Sequence, residues 1–365
     1  MKKTILINHL LEPGNRLSGI SNYLFYLLDQ LLERNSYNFI LVTCWDEEQL
    51  PEMLWNRGLS VVTLPYIEST PKNLINQFFL IPRLMKQFNA DLEFNPNPLG
   101  CFGGKHRRVS VVHDLYFDVK PESYKFHHRL WWKFFFPLSC FRSSKIICVS
   151  QNTASDLAKF HPKFKSKTEV VLESACLKKV EECPVSANQR KSYGLFVANV
   201  SPNKGAEVLI KALKLLNDKD VPVEVLHAGK DSEGYLTHYA NIHGLSELPK
   251  ALGRVSDEEL RNLYLNARFL VFPSLYEGFG LPVLEAQTFG VPVIASDIPV
   301  LREVAGKAGA FFEVDNADAL ANSIREIISD DELFEVKSKA SVENSNLFSW
   351  AKAAMETEQL ISQTL

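Results

Sequence analysis

Short apolar runs alternate with longer amphipathic ones along the whole chain. Residues 5–7, 39–42, 60–64, 109–112 and 146–149 read as buried strands, and residues 22–32 and 74–88 carry apolar side chains at helical spacing. A second series follows. It predicts strands over 195–200, 223–228, 269–272 and 291–295, helices over 206–216, 257–266, 282–289 and 317–328, and an amphipathic helix over 349–365. Such alternation predicts an α/β protein with doubly wound parallel sheets, helices covering both faces. The polar stretch 181–191 contains Pro184, lacks periodicity and reads as a linker. It divides the chain into domains at 1–183 and 184–348, with the terminal helix 349–365 expected to pack back on the first.

A length of 365 residues fits two domains, and 46% hydrophobic content supplies their cores. The net charge of -3 makes no case for nucleic-acid binding, but it hides an asymmetry. Residues 1–183 carry 23 basic and 18 acidic side chains, the remainder 17 and 25. The basic excess concentrates between Lys105 and Lys145. The six cysteines (44, 101, 140, 148, 176 and 183) form no CxxC pair and read as reduced cytosolic thiols. The apolar run after Lys2-Lys3 ends at Asn8, His9 and Glu12, which makes it a first strand and not a signal peptide. No stretch reaches the roughly 18 apolar residues of a spanning helix. The expectation is a cytoplasmic protein, either soluble or peripheral on a membrane.

Ligands of doubly wound sheets bind beyond the carboxyl ends of strands, so the loops after strands carry the chemistry. After 269–272 comes Pro273-Ser274-Leu275-Tyr276-Glu277-Gly278-Phe279-Gly280-Leu281-Pro282-Val283-Leu284-Glu285-Ala286. Gly278 and Gly280 permit close backbone approach. Pro282 suits a first helical turn, whose N-terminus is a site for phosphate. Glu277 precedes that anion site, and Glu285 is expected in the helix's first turn. One carboxylate could hold a hexose and the other a ribose. The plainer alternative is a turn with Glu285 stabilising a helix start.

The segment from Leu275 to Ala286 resembles the E-x7-E motif of family 4, the retaining glycosyltransferases typified by sucrose synthase, glycogen synthase and bacterial mannosyltransferases. Gly290-Val291-Pro292-Val293-Ile294-Ala295-Ser296-Asp297 and Gly253-Arg254-Val255-Ser256-Asp257-Glu258-Glu259-Leu260 are similar to the family as well. The resemblance implies the GT-B fold, two Rossmann-like domains facing across a cleft, with the donor nucleotide sugar held by the C-terminal one. By position it implies that Glu277 binds donor-sugar hydroxyls and Glu285 the ribose. The backbone at Gly278, Phe279, Gly280 and Leu281 would contact sugar and phosphate. Attack would come from the donor's front face, with no cofactor and no metal.

Lys204, in Asn199-Val200-Ser201-Pro202-Asn203-Lys204-Gly205, stands close to a helix start, where a cation is unfavourable unless an anion joins it. It is a candidate for supporting the leaving diphosphate. The family usually has an arginine where this chain has Asn199, so Arg254 or Lys230 is the candidate second cation. In the N-terminal half, His113-Asp114 ends a strand. The resemblance puts His113 toward the donor sugar, by hydrogen bond or by shared charge; Asp114 could orient it or contact the acceptor. The loop 14–22, with Arg16, Ser18 and Asn22, offers Gly19 near the donor phosphate. Residues 125–136, from Lys125 to Phe136, mix cations with aromatics and fit either an anionic membrane surface or a core helix with a basic edge.

Glycosidases also use two carboxylates, but here both belong to a phosphate-binding loop and helix. Asp218-Lys219-Asp220 has the form of a metal-binding DxD and reads as a turn. The expected function is hexosyl transfer from a nucleotide sugar to a saccharide or lipid-linked saccharide of surface polysaccharide, such as O-antigen. GDP-mannose is the first donor and UDP-sugars the next. The alternatives are a sugar-nucleotide epimerase of related fold and a non-catalytic partner protein.

Overall fold

Two parallel sheets account for the apolar runs. The computed structural model describes residues 2–13, 18–100, 102–177, 186, 190 and 192–365. They divide into two compact units, Met1–Ser174 with Ser349–Leu365, and Ala175–Phe348. The segment 178–185, where the sequence places the end of the first domain, and nearly all of the linker lie outside the described residues, as do Arg16, Cys101 and Cys183.

In the first unit, β1 (Thr4–His9), β2 (Asn38–Thr43), β3 (Ser60–Thr63), β4 (Leu92–Asn95), β5 (Arg107–Val112), β6 (Lys145–Cys148) and β7 (Thr168–Val170) form a sheet in the order 3-2-1-4-5-6-7. Its helices are α1 (Gly19–Arg34), α2 (Thr70–Gln87), α3 (Tyr116–Val119), α4 (Phe126–Arg142) and α5 (Gln151–Phe160). In the second unit, β8 (Gly194–Val197), β9 (Val225–Ala228), β10 (Lys250–Gly253), β11 (Phe269–Phe272), β12 (Val293–Ser296) and β13 (Ala310–Phe312) take the order 10-9-8-11-12-13. This repeats the order of the first six strands of the first unit. Helices α6 (Ala206–Asn217), α7 (Tyr235–His243), α8 (Asp257–Asn266), α9 (Leu281–Thr288), α10 (Pro299–Ala305), α11 (Ala317–Ser329) and α12 (Asp331–Ser345) surround this sheet's strands in sequence. All strand pairs are parallel, and their central strands are buried on both faces.

The last helix, α13 (Trp350–Thr364), belongs to the first unit. Trp350 stacks on Tyr26 at 5.9 Å and meets Tyr23 edge-on at 5.8 Å. Arg34 of α1 pairs with Glu358 of α13 at 2.5 Å.

Strand β4 escapes the apolar pattern because its sequence is Leu-Glu-Phe-Asn. Glu93 is fully buried, and Arg108 of β5 donates to it through Nε at 2.6 Å. His106 Nε2 lies 2.6 Å from the same carboxylate, and Asn8 donates to its other oxygen at 3.0 Å. Burial pushes the Glu93 carboxyl upward, but Arg108 and His106 outweigh it, so the group stays below its usual range. Asn8 also donates to Gln77, which donates to Asn73, which donates to the Leu10 carbonyl. The sheet centre is thereby fastened to α2.

Cys44, Cys140, Cys148 and Cys176 are free thiols. Among the described residues no helix is long and apolar enough to cross a membrane.

Candidate active site

Each sheet reverses its winding in the middle, between β1 and β4 in the first unit and between β8 and β11 in the second. Loops leaving the two strands at such a point diverge and make room for a ligand. In the second unit these loops are 198–205 and 273–280, and they carry Lys204 and Glu277. The two residues are 73 apart in sequence, yet Lys204 Nζ lies 2.6 Å from Glu277 Oε1, both side chains largely buried.

Backbone contacts hold the two loops together. Leu275 N–H donates to the Asn203 carbonyl at 2.8 Å, and Asn203 Nδ2 donates to the Tyr276 carbonyl at 3.2 Å. Gly205 has φ +66°, and a Cβ there would stand 1.9 Å from the Pro273 carbonyl oxygen. Only glycine lets the loops approach this closely. Gly280 (φ +101°) caps α9, which starts at Leu281, four residues after Glu277, with Pro282 in its first turn. The positive end of a helix dipole therefore lies next to the Lys204–Glu277 pair. Phe279 is buried edge-on against Phe348 at 6.1 Å. Its ring anchors the turn, which leaves only its backbone for a ligand.

Glu285 is not in the first turn as the sequence suggested. Because α9 begins at Leu281, Glu285 is its fifth residue and is buried. It is too deep to serve as a dipole-stabilising acid at the helix start. Tyr264 Oη donates to its carboxylate at 3.2 Å.

Asn199, in the place of the arginine usual in the resembled family, accepts the Lys230 N–H through Oδ1 at 3.0 Å. It braces the loop after β8 against the loop after β9. Lys230 and Arg254 follow the carboxyl ends of β9 and β10, and both are exposed. Three neighbouring strands, β8, β9 and β10, thus each lead to a cation on one edge of the unit. Among the described residues no group of three or more His, Cys, Asp or Glu could hold a metal ion. Asp218-Lys219-Asp220 ends α6 in a turn, with Asp220 at φ +56°.

In the first unit, His113 follows β5. Its Nε2 lies 2.9 Å from the Pro96 carbonyl and its Nδ1 3.2 Å from Glu173 Oε1. Both partners are acceptors, so the arrangement favours the doubly protonated ring. Burial opposes that charge, but the Glu173 carboxylate and the Pro96 carbonyl outweigh it and raise the pKa. Tyr23 meets the ring edge-on at 5.0 Å. Of the two roles considered for His113, shared charge fits this arrangement better than a hydrogen bond from a free nitrogen. Asp114 Oδ1 accepts the Tyr116 N–H at 2.9 Å at the start of α3. Gly19 is the first residue of α1, capped by Ser18, and among the described residues beyond its chain neighbours and its own helix backbone none lies within 4 Å of where its Cβ would be. Residues 14–17 of that loop lie outside the described residues.

Residues 17–172 match the family described as Glycosyltransferase Family 4, and residues 182–343 match Glycosyl transferases group 1. The chain belongs to the family 4 glycosyltransferases. This glycosyltransferase is 33% identical over 175 residues to O-antigen chain mannosyltransferase B of Escherichia coli, covering 46% of this chain and 45% of that protein. It therefore aligns with about half of that relative's length. It is 28% identical over 284 residues to O-antigen chain mannosyltransferase RfbU of Salmonella typhimurium, covering 74% and 77% of the two chains. Among solved structures, Anabaena HepE in complex with UDP and glucose superposes with a TM-score of 0.75 at 19% identity, over 99% of this chain and 100% of that one. The fold is GT-B, shared with glycosyltransferases.

Three residues of the glycosyltransferase's candidate site carried no signal in its sequence. Tyr264 lies in α8 among apolar positions and touches Glu285 only through the fold. Glu173 sits 60 residues from His113 in a stretch without periodicity. Asn203 is an ordinary loop residue until Tyr276 is brought beside it.

Burial raises the Glu285 carboxyl to about 7, despite hydrogen bonds from Tyr264 and the Cys176 backbone that pull it down. A raised carboxyl favours the fold while it is protonated. That contribution is complete below the ordinary carboxylate range and is lost as pH rises through about 7. The melting temperature of the glycosyltransferase, measured without nucleotide, is expected to fall between pH 5.5 and 8. Glu285→Gln should remove a part of that fall worth roughly 2 kcal/mol. Parallel profiles for the two proteins would contradict the assignment.

Proposed function

We propose that the second unit binds the donor, with the Lys204–Glu277 pair beside the start of α9 as the observation that carries the reading. A lysine and a carboxylate at a helix N-terminus offer what a nucleotide sugar presents together, an anion and hydroxyl groups. Lys204 and the helix end support the departing diphosphate, with Arg254 or Lys230 as the second cation and no metal. Glu277 accepts from sugar hydroxyls, and Glu285 accepts from the ribose. The first unit takes the acceptor, with Asp114 on that side, and His113 contributes a fixed positive charge. The hexosyl group passes to a saccharide or lipid-linked saccharide with retention, and GDP-mannose is the donor. The names of the two mannosyltransferase relatives support the sugar, and the family resemblance supports retention. HepE's complex with UDP and glucose supports a nucleotide sugar on this fold and keeps UDP-sugars as the second choice.

A panel of sugar nucleotides tests this. GDP-mannose should give the largest rise in melting temperature and be consumed only with acceptor, apart from slow hydrolysis, yielding GDP. A larger rise with UDP-glucose would overturn the mannose reading. Conversion of the free donor to an isomer would make the protein an epimerase, and no response to any donor would sink the site. Ribose hydroxyls favour ionised Glu285, so binding near pH 6.5 should also release a proton, detectable by calorimetry in two buffers of different ionisation enthalpy.

A further inference from the structure

Helix α4 turns Trp132, Phe136, Ser139 and Cys140 inward, where Phe117 stacks on Trp132 at 4.4 Å. Its opposite side is not the basic polar face that a surface helix normally shows. Phe126, Leu130, Phe134, Leu138 and Phe141 recur there at spacings of four, four, four and three, all exposed, Phe126 to 77% and Phe134 to 63%. Helix α2 repeats the arrangement with Ile75, Phe78 and Phe79, the last 70% exposed. Between the helices runs an apolar groove of about 370 Å³, lined by Ile75, Phe78, Phe79, Trp131, Phe135 and Leu138. A contiguous exposed apolar face of this kind marks an interaction surface.

The charges around this face select its partner. Neither helix contains an aspartate or glutamate. Lys72, Arg83 and Lys86 of α2, and Arg129, Lys133 and Arg142 of α4, are all basic, and Lys125 caps α4. A protein partner would have to be both acidic and strongly apolar over the same area. An anionic bilayer is both by construction, with phosphates outside and hydrocarbon a few ångströms below. The side chains match that layering, because long cationic stems reach headgroups while aromatic rings sink past them.

We propose that the outer face of α2 and α4 docks on an anionic phospholipid bilayer, with a lipid acyl chain entering the groove between the helices. The proposal does not depend on the donor, and it stands whether or not the acceptor is lipid-linked.

The test uses the full chain and vesicles of phosphatidylcholine alone or mixed 3:1 with phosphatidylglycerol. Co-flotation should favour the anionic vesicles at least tenfold and weaken in 0.5 M salt. Phosphatidylcholine brominated in its acyl chains, mixed with phosphatidylglycerol, should quench the protein's tryptophan fluorescence. Trp131→Phe should remove most of that quenching, since Trp131 lines the groove. The double variant Phe79→Ser/Phe134→Ser changes only exposed rings and should lose binding at least tenfold while keeping the wild-type melting temperature. Equal binding to both vesicle types, undiminished binding by the double variant, or quenching unaffected by Trp131→Phe would overturn the proposal. So would a concentration-dependent dimer, abolished by the double variant, without vesicle binding, because the face would then join two copies of this chain.

Discussion

Lys204→Ala is expected to lower turnover by about 100- to 1000-fold, the loss typical of removing one preorganised group that meets transition-state charge. Lys204 Nζ spends one of its three donors on Glu277 at 2.6 Å, and the other two remain to meet a diphosphate. Removing it takes a positive charge from the departing group and also leaves the Glu277 carboxylate without its counter-ion beside an incoming anion. The two effects are separable. Glu277→Gln alone should impair transfer, because the carboxylate's hydrogen bonds to sugar hydroxyls weaken. With alanine already at 204, however, the same change removes a repulsion. The double variant should therefore be better than the product of the single losses. Steady-state kinetics on the four proteins of this cycle check the prediction. Near-normal turnover of Lys204→Ala, or strict additivity, would remove the pair from the mechanism.

The second large effect is on stability and arises far from the donor loops. Arg108→Ala should destabilise the first unit by about 3–5 kcal/mol, because it leaves Glu93 charged, buried and short of its main partner. At roughly 2–4 °C per kcal/mol for a unit of this size, the melting temperature should drop by roughly 6 to 20 °C. Replacing both partners by apolar residues, Glu93→Leu with Arg108→Met, should recover most of the loss, since no charge is then stranded. Thermal unfolding followed by circular dichroism distinguishes the cases, and an Arg108→Ala shift within 2 °C would mean that His106 and Asn8 hold Glu93 by themselves.

The same pair explains what the sequence concealed. Strands β5, β6, β11 and β12 are legible because each carries a mostly apolar run buried on both faces. Strand β4 is equally buried, but Glu93 and Asn95 interrupt the run, and the arginine that makes Glu93 tolerable lies in another strand. Strands β7 and β13 are three-residue edges, too short to show a period. In the second unit, Glu277, the glycine turn and α9 could be read directly, since one continuous segment contains them. The partner of Glu277 could not, because only the reversal of winding between β8 and β11 brings Lys204 beside it. Helix α9 starts one residue before the position its sequence suggests, for a local reason. Gly280 takes a left-handed conformation and starts the helix at Leu281, which puts Glu285 one residue further along it, past the first turn, where burial governs its charge. His113 was found by its place after a strand, but its protonation depends on Glu173, which no spacing rule connects to it.

The return of α13 to the first unit sets an order on the making of the protein. Residues of the first unit up to Ser174 leave the ribosome before the second unit, yet Tyr23 and Tyr26 wait for Trp350, which comes after the whole second unit. The nascent first unit therefore carries an uncovered aromatic seam along α1 until α13 has been made. The unit begun before the other is completed after it, and a chain truncated before Ser349 would expose that seam for good.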